Sequence, residues 1–222
     1  MASQLFRSVE RQTSWRANIL LLECALILMI HLIALHKWVQ PCPQRSLLTL
    51  FAIVYIARLN LMARWLLPRE LSTEELTFVM LVWLPSILAS FTYGTIQSSG
   101  ETGLTGIQLS FASAGYLGGS FLNTFSELQR KWWKPKAENK GRCYMLGLFS
   151  ISRNVNYFGD VVLFGAWALA TGSLWNIWVP LAMFSLFYFF NIPEKEAYLA
   201  KRYSDDWPSY KASTKALIPW LL

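Results

Sequence analysis

The residue types best suited to chemistry gather between positions 122 and 160. In "LNTFSELQRKWWKPKAENKGRCYMLGLF", residues 122–149, Asn123 and Glu127 are four apart and so share a helix face. Arg130, Lys131, Lys134, Lys136, Lys140 and Arg142 follow, interleaved with Trp132 and Trp133. Such cations hold phosphate, while an amide and a carboxylate reach a sugar or a base. The same composition also makes an interfacial anchor, with indoles at the headgroups and cations toward anionic lipid. A second stretch, "SRNVNYFGD" at 152–160, precedes a long apolar run. A helix beginning near Asn154 turns Asn156 and Asp160 the same way, with Tyr157 beside Asp160. Gly159 lets a ligand or a neighbouring helix come close. The polar residues either line a cavity or cap the helix. No glycine-rich dinucleotide fingerprint follows a strand, so a nucleotide would have to bind in another way.

Charges inside apolar runs are the other candidates, because they are costly in a bilayer and often functional. Glu23 and Arg58 lie deepest. They either neutralise each other or leave Glu23 to donate a proton to a substrate or polarise it. His31 sits near the end of its run, where a structural role is the commoner one. The cysteines Cys24, Cys42 and Cys143 show no pair spacing. With only His31 and His36 beside them, neither a metal site nor a disulfide framework is expected.

The elements that must position these residues are membrane helices. Of 222 residues, 54% are hydrophobic and 15% charged, against about 25% charged in a soluble domain. A bilayer core takes about 20 apolar residues per helix. Candidate runs are Ala17–His36, Ser46–Leu67, Leu76–Tyr93 and Leu104–Leu122. Val161–Phe190 follows, broken near Gly172 and Ser173. As one straight helix it would be about 45 Å long, too long for a single span. Two short helices or a hairpin fit better. The expectation is one all-α, multi-pass membrane domain, 1–222, of about six spans with an amphipathic C-terminal tail.

The basic residues agree. With six spans, the ends and alternate loops share one side, which receives every Lys and Arg except Lys37, Arg45 and Arg58. That bias places both ends and the basic segment in the cytosol. The net charge of +7 is therefore read as membrane-directed, and nucleic acid is not an expected partner. "MASQLFRSVERQTSWRAN" reads as a basic flank before a signal anchor in preference to a transit signal, since Glu10 is acidic. In the tail, Pro208 is tolerated early in a helix, with Asp205 or Asp206 as its cap, and Tyr203, Trp207 and Tyr210 line one side. The tail is an interfacial helix or a lid over the basic segment.

"SELQRKWWK", "NKGRCYMLGLF", "NYFGD" and "IPEKEAYLAKRYSDDWPSYKASTKALIP" together resemble the C-terminal half of the steroid 5α-reductase superfamily, nearest its uncharacterised membrane-protein branch. Sterol Δ14-reductases and isoprenylcysteine carboxyl methyltransferases are more distant. The similarity covers roughly residues 115–222; residues 1–114 match only loosely. It implies an all-helical membrane fold, NADPH bound on the cytosolic side, and hydride transfer to a conjugated carbon–carbon double bond in a lipid-like or steroid-like molecule. It implies cofactor contacts by Asn123 and Glu127, the latter where relatives carry Asp, and by Asn156, Tyr157 and Asp160 at the nicotinamide end. Arg130, Arg153, Arg202 and Tyr203 match phosphate or ribose contacts by position. The methyltransferases' usual Arg-His-Pro is Arg153-Asn154-Val155 here. Glu23, Tyr55 and Tyr93 stand as catalytic candidates by residue type alone. Two alternatives remain: a catalytically inactive accessory subunit of a larger membrane assembly, and an S-adenosylmethionine-dependent methyltransferase. Membrane lipids and a hydrophobic substrate are the expected partners, other membrane subunits a further option, and the endoplasmic reticulum the favoured location.

Overall fold

The computed structural model describes residues 15–66, 73–98 and 104–222; the basic N-terminal flank lies outside them. Helix is the dominant element, and the described residues contain no strand. Helix α1 spans Trp15–Trp38, and α2 spans Pro43–Leu61 and continues through a wider π turn, Met62–Leu66. Helix α3, Thr73–Phe78, passes through a π turn at Val79–Trp83 into α4, Leu84–Ser98. Helix α5 is the longest, Gly106–Trp133, and α6 is Val155–Ala170. Helix α7, Trp178–Leu186, continues through a π turn at Phe187–Asn191 into α8, Ile192–Arg202, and α9 is Trp207–Ser213.

Local chemistry explains the boundaries. Pro43 opens α2, where its missing N–H is no loss, and the Cys42 side chain accepts from Arg45 N. Pro193 opens α8 in the same way, with Glu194 in its first turn and Lys201 and Arg202 in its last, as the helix dipole favours. The long apolar run breaks where expected. Gly172 has φ +73°, which stops α6 before a 3-10 turn at Leu174–Ile177 leads into α7. Asp206 stands at the cap position of α9, but its carboxylate is engaged elsewhere and does not bond the helix.

Among the described residues two segments are long and apolar enough to cross a membrane, Leu21–Trp38 and Leu174–Arg202; α6 is apolar but shorter. The expectation of six spans reaches beyond these two. Helix α2 carries Gln44, Arg45 and Arg58, and α5 is rich in Gly and Ser and ends in "ELQRKWW".

The chain divides into two compact units, residues 1–114 with 165–179, and residues 115–164 with 180–222. Residues 165–179 thus belong to the first unit, although they follow part of the second in sequence.

In the first unit α1 packs against α2 and α4. Trp167 is fully buried there, with its ring 5.5 Å from Phe91, 5.6 Å from Tyr55, and 6.3 Å from both Phe51 and His31. The turn after α6 is fixed by buried polar groups. Asn176 accepts from Ser90 Oγ at 2.6 Å and donates to Thr171 Oγ1 at 2.8 Å. Trp178 Nε1 donates to Ser90 Oγ, Ser98 Oγ to Thr171 O, and Gln44 Nε2 to Ala170 O.

In the second unit α5 and α6 meet backbone to backbone. A Cβ on Gly119 would lie 2.5 Å from Gly159 O, and one on Gly159 would lie 2.6 Å from Asn123 N. Gly159 therefore serves a neighbouring helix, which settles that part of the sequence reading. A core of Tyr144, Phe149 and Val155, backed by Leu122 and Trp133, packs below this crossing. A second cluster joins Cys143 to Tyr203, Trp207 and Tyr210, so the aromatic side of the tail is buried.

Candidate functional site

The glycine crossing sets the site, because it lets short polar side chains on α5 reach the first turn of α6. Asn123 Nδ2 donates to Asn156 O at 3.1 Å, and Asn156 Nδ2 donates to Glu127 Oε1 at 3.1 Å. The other Glu127 oxygen accepts from Arg130 Nε at 2.9 Å and from Arg130 Nη2. One turn of α5 and one of α6 thus share a single network. Asn123, Glu127 and Asn156 are all buried. Asn156 Oδ1 and, on the same faces, Ser120 Oγ and Asn154 Oδ1 are buried without a hydrogen-bond partner. Buried polar atoms are normally paired, and each such vacancy points to a missing partner.

Burial pulls the Arg130 guanidinium down, but the charge and hydrogen bonds of Glu127 outweigh it and hold its pKa above the usual value; Tyr203 and Tyr157 add to that. The phenol of Tyr203 accepts from Lys134 Nζ at 2.5 Å and from Arg202 Nε at 3.2 Å. Arg202 Nη1 donates to Tyr198 OH at 2.9 Å. The Tyr157 ring stacks on Phe187 at 4.4 Å, with Lys195 Nζ 4.9 Å from its centroid. Arg130, Lys134, Lys195 and Arg202 thus gather around Glu127 in one cluster of phenols and amides, with Glu196 nearby but held by Arg153.

The structure gathers most of the expected cofactor residues in the second unit. Asn123, Glu127, Arg130 and Asn156 form the network, Tyr157 flanks it, and Tyr203 and Arg202 join the cation–phenol chain. Asp160 lies one turn further along α6, half-buried. Arg153 has a different task. It bonds Glu196 Oε1 through Nε at 2.8 Å and Nη2 at 2.7 Å, and its Nη1 donates to Lys211 O and Thr214 O. With 7% exposure, it fastens the tail to the start of α6 and has little left for a phosphate. Asn154 does likewise, donating to Ala216 O at 2.8 Å, as does Ser152, donating to Leu217 O at 2.7 Å. The basic segment is held to the tail by Arg142, whose Nη2 lies 2.8 Å from Asp206 Oδ1, and by Cys143 N, which donates to Asp206 Oδ2 at 2.8 Å. The Arg142 hydrogen bond, followed by that of Cys143 N, holds the Asp206 carboxyl below its usual range.

The expected catalytic residues belong to the first unit. Glu23 on α1 has Oε2 buried without a hydrogen-bond partner. Tyr55 packs edge-on against Trp167. Tyr93 is 60% exposed and accepts from Gln97 Nε2 at 3.0 Å. No hydrogen bond links Glu23 to either tyrosine. His31, whose Nδ1 lies 2.6 Å from Thr92 Oγ1, is a core residue. Among the described residues no group of His, Cys, Asp and Glu has a metal-binding arrangement.

Sequence reasoning passed over Lys195 and Tyr198. The signal was present: Lys195, Tyr198 and Arg202 recur at i, i+3 and i+7 on α8, which puts them on one face.

Residues 64–214 match the family described as "Protein of unknown function (DUF1295)", and the chain belongs to that family. It is also similar to a curated protein of Ustilaginoidea virens, "Probable O-methyltransferase ustE", with 36% identity over 98 residues, 43% of this chain. The matched stretch spans about a third, 34%, of that relative's length.

Proposed function

We propose that the chain is an integral membrane reductase that binds NADPH at the Asn123–Glu127–Asn156 network and reduces a conjugated carbon–carbon double bond in a hydrophobic, lipid-like or steroid-like substrate. One observation carries this reading. The cluster gathers Arg130, Lys134, Lys195 and Arg202 around Glu127, with Glu196 held nearby by Arg153, and it leaves the acceptor Asn156 Oδ1 without a hydrogen-bond partner. That donor set fits a polyanion ending in a carboxamide, whose N–H groups would supply what Asn156 Oδ1 lacks. When bound, the dinucleotide supplies a hydride; the substrate's α-carbon then takes a proton. The chain's own part is to neutralise phosphates with Lys134 and Arg202, beside the Glu127-bound Arg130, and to orient the nicotinamide end with Asn156, Tyr157 and Asp160. Glu23, Tyr55 and Tyr93 stay candidates for polarising the substrate by residue type alone. In this reading the chain makes about six spans, turns both ends and residues 123–153 to the cytosol, and resides in the endoplasmic reticulum.

A methyltransferase is the second reading, favoured by the printed name of the similar fungal protein. The charge balance weighs against it. S-adenosylmethionine carries a sulfonium and an ammonium against one carboxylate, and a cluster of cations repels it. An inactive accessory subunit is the third reading, and it calls for neither ligand.

Equilibrium titration separates the three. Detergent-purified protein, followed by the fluorescence of its 11 tryptophans, is titrated with NADPH and with S-adenosylmethionine. Saturable binding of NADPH alone is expected. Binding of S-adenosylmethionine alone moves the assignment to the methyltransferase, and binding of neither at millimolar concentration moves it to the accessory subunit.

A further inference from the structure

Lys195 is the group in the second unit whose surroundings are least complete. It sits on α8 and is half-buried. Its ammonium lies 4.9 Å from the centroid of Tyr157 and 5.9 Å from that of Phe149. Both rings turn a face toward it. No carboxylate lies within ion-pairing distance among the described residues, although two acids belong to the same neighbourhood. Each acid is engaged by another cation. Glu127 is held by Arg130 and Asn156, and Glu196 by Arg153. A cation over an aromatic face gains about 0.5–2 kcal/mol, yet that contact satisfies none of the three N–H donors of an ammonium. The carboxylates therefore neutralise the arginines, and Lys195 is left over the face of a phenol with no hydrogen-bond acceptor for its ammonium among the described residues.

We infer that Lys195 is the anion-binding group of this cluster, and that it takes a phosphate or pyrophosphate oxygen of the ligand held by Asn123, Glu127 and Asn156. The inference rests on the nucleotide reading and deepens it by naming the residue that receives the charge. Arg153, the cation expected at such a place from sequence position, is occupied by Glu196 and by carbonyls of the tail. Lys195, one residue before that glutamate, takes the role instead. A compact ammonium suits this position: it needs no planar, bidentate partner, and it can turn its donors toward an oxyanion while its stem stays on the rings.

Inorganic pyrophosphate is the direct probe, titrated into the full chain in phosphatidylcholine nanodiscs and followed by tryptophan fluorescence. Wild type should bind it saturably, Lys195→Met should bind at least tenfold more weakly, and Lys195→Arg should recover part of the loss. Thermal unfolding of each variant shows that it is folded. Equal binding by wild type and Lys195→Met, or no binding by wild type, overturns the inference. NADPH titrated into the same proteins separates this inference from the reading beneath it. If pyrophosphate binding depends on Lys195 but NADPH does not bind, the anion site stands and the reductase reading falls. If NADPH binds equally well to Lys195→Met, the reductase reading stands and Lys195 loses its role. A lipid headgroup carries the same phosphate, so the titration is repeated with phosphatidic acid in the nanodiscs. Competition that Lys195→Met abolishes keeps the anion site and gives it to a lipid.

Discussion

The two units handle polarity in opposite ways. In the first, the described polar groups are mostly neutral and answer one another. Asn176 is closed between Ser90 and Thr171, and the largest buried side chain, Trp167, is ringed by aromatic residues. In the second, charges are paired: Glu127 with Arg130 and Glu196 with Arg153 largely inside, and buried Asp206 with Arg142 at the surface. Each unit also buries polar atoms that have no hydrogen-bond partner, Glu23 Oε2 and His31 Nε2 in the first and Ser120 Oγ and Asn156 Oδ1 in the second. What sets the second apart is the company of cations, and in the proposed reading that is where a ligand binds. Stability should therefore concentrate in the first unit's aromatic core, and ligand sensitivity in the second.

Trp167→Ala should break the first half of that contrast most severely. Removing so large a buried ring costs about 3–5 kcal/mol, read as a large fall in the thermal midpoint by circular dichroism. A small shift would mean that the core tolerates the cavity. Asn176→Ala sharpens the contrast at lower magnitude. It leaves Ser90 and Thr171 with lost partners, about 1–3 kcal/mol, and NADPH affinity should not change. In the second unit, Asn156→Ala with Asp160→Ala should weaken NADPH binding at least tenfold, about 1.4 kcal/mol. Unfolding should shift less than for Trp167→Ala. If binding is unchanged, those side chains merely begin a helix.

The smallest effect is acid-dependent. The carboxyl of Asp206 titrates below its usual value in the folded chain, so its stabilisation is fully present above about pH 4 and is lost as pH falls through the folded pKa. Thermal midpoints between pH 6 and pH 3 should fall in wild type and fall less in Asp206→Asn, which starts lower. Parallel curves would remove Asp206 from the acid limb.

Much of this organisation was legible. Apolar run lengths gave the order of the long helices, and Gly172 marked the break before α7, because a left-handed residue shows in sequence. The i, i+4 spacing put Asn123 and Glu127 on one helix face, but neither their bonds to Asn156 nor the glycine crossing that brings α5 to α6 showed in the sequence. Pairings across distant segments were harder. Arg153 reads as a free cation until the fold supplies Glu196 and the tail carbonyls. Glu23 and Arg58 look complementary as two charges in apolar runs, yet depth in a run does not fix the face of a helix. Lys195 stayed hidden among neighbouring charges in "IPEKEAYLAKRY" because only the fold shows that the adjacent acids are already engaged.

The central claim is that the charged cluster of the second unit is a nucleotide site. A structure determined from protein saturated with NADPH tests it most directly. The account expects density for the dinucleotide at that cluster, its carboxamide within hydrogen-bonding distance of Asn156 Oδ1 and its phosphates beside Arg130 and Lys195. An unaltered cluster at saturating NADPH, or nucleotide bound only among the residues of the first unit, would contradict it.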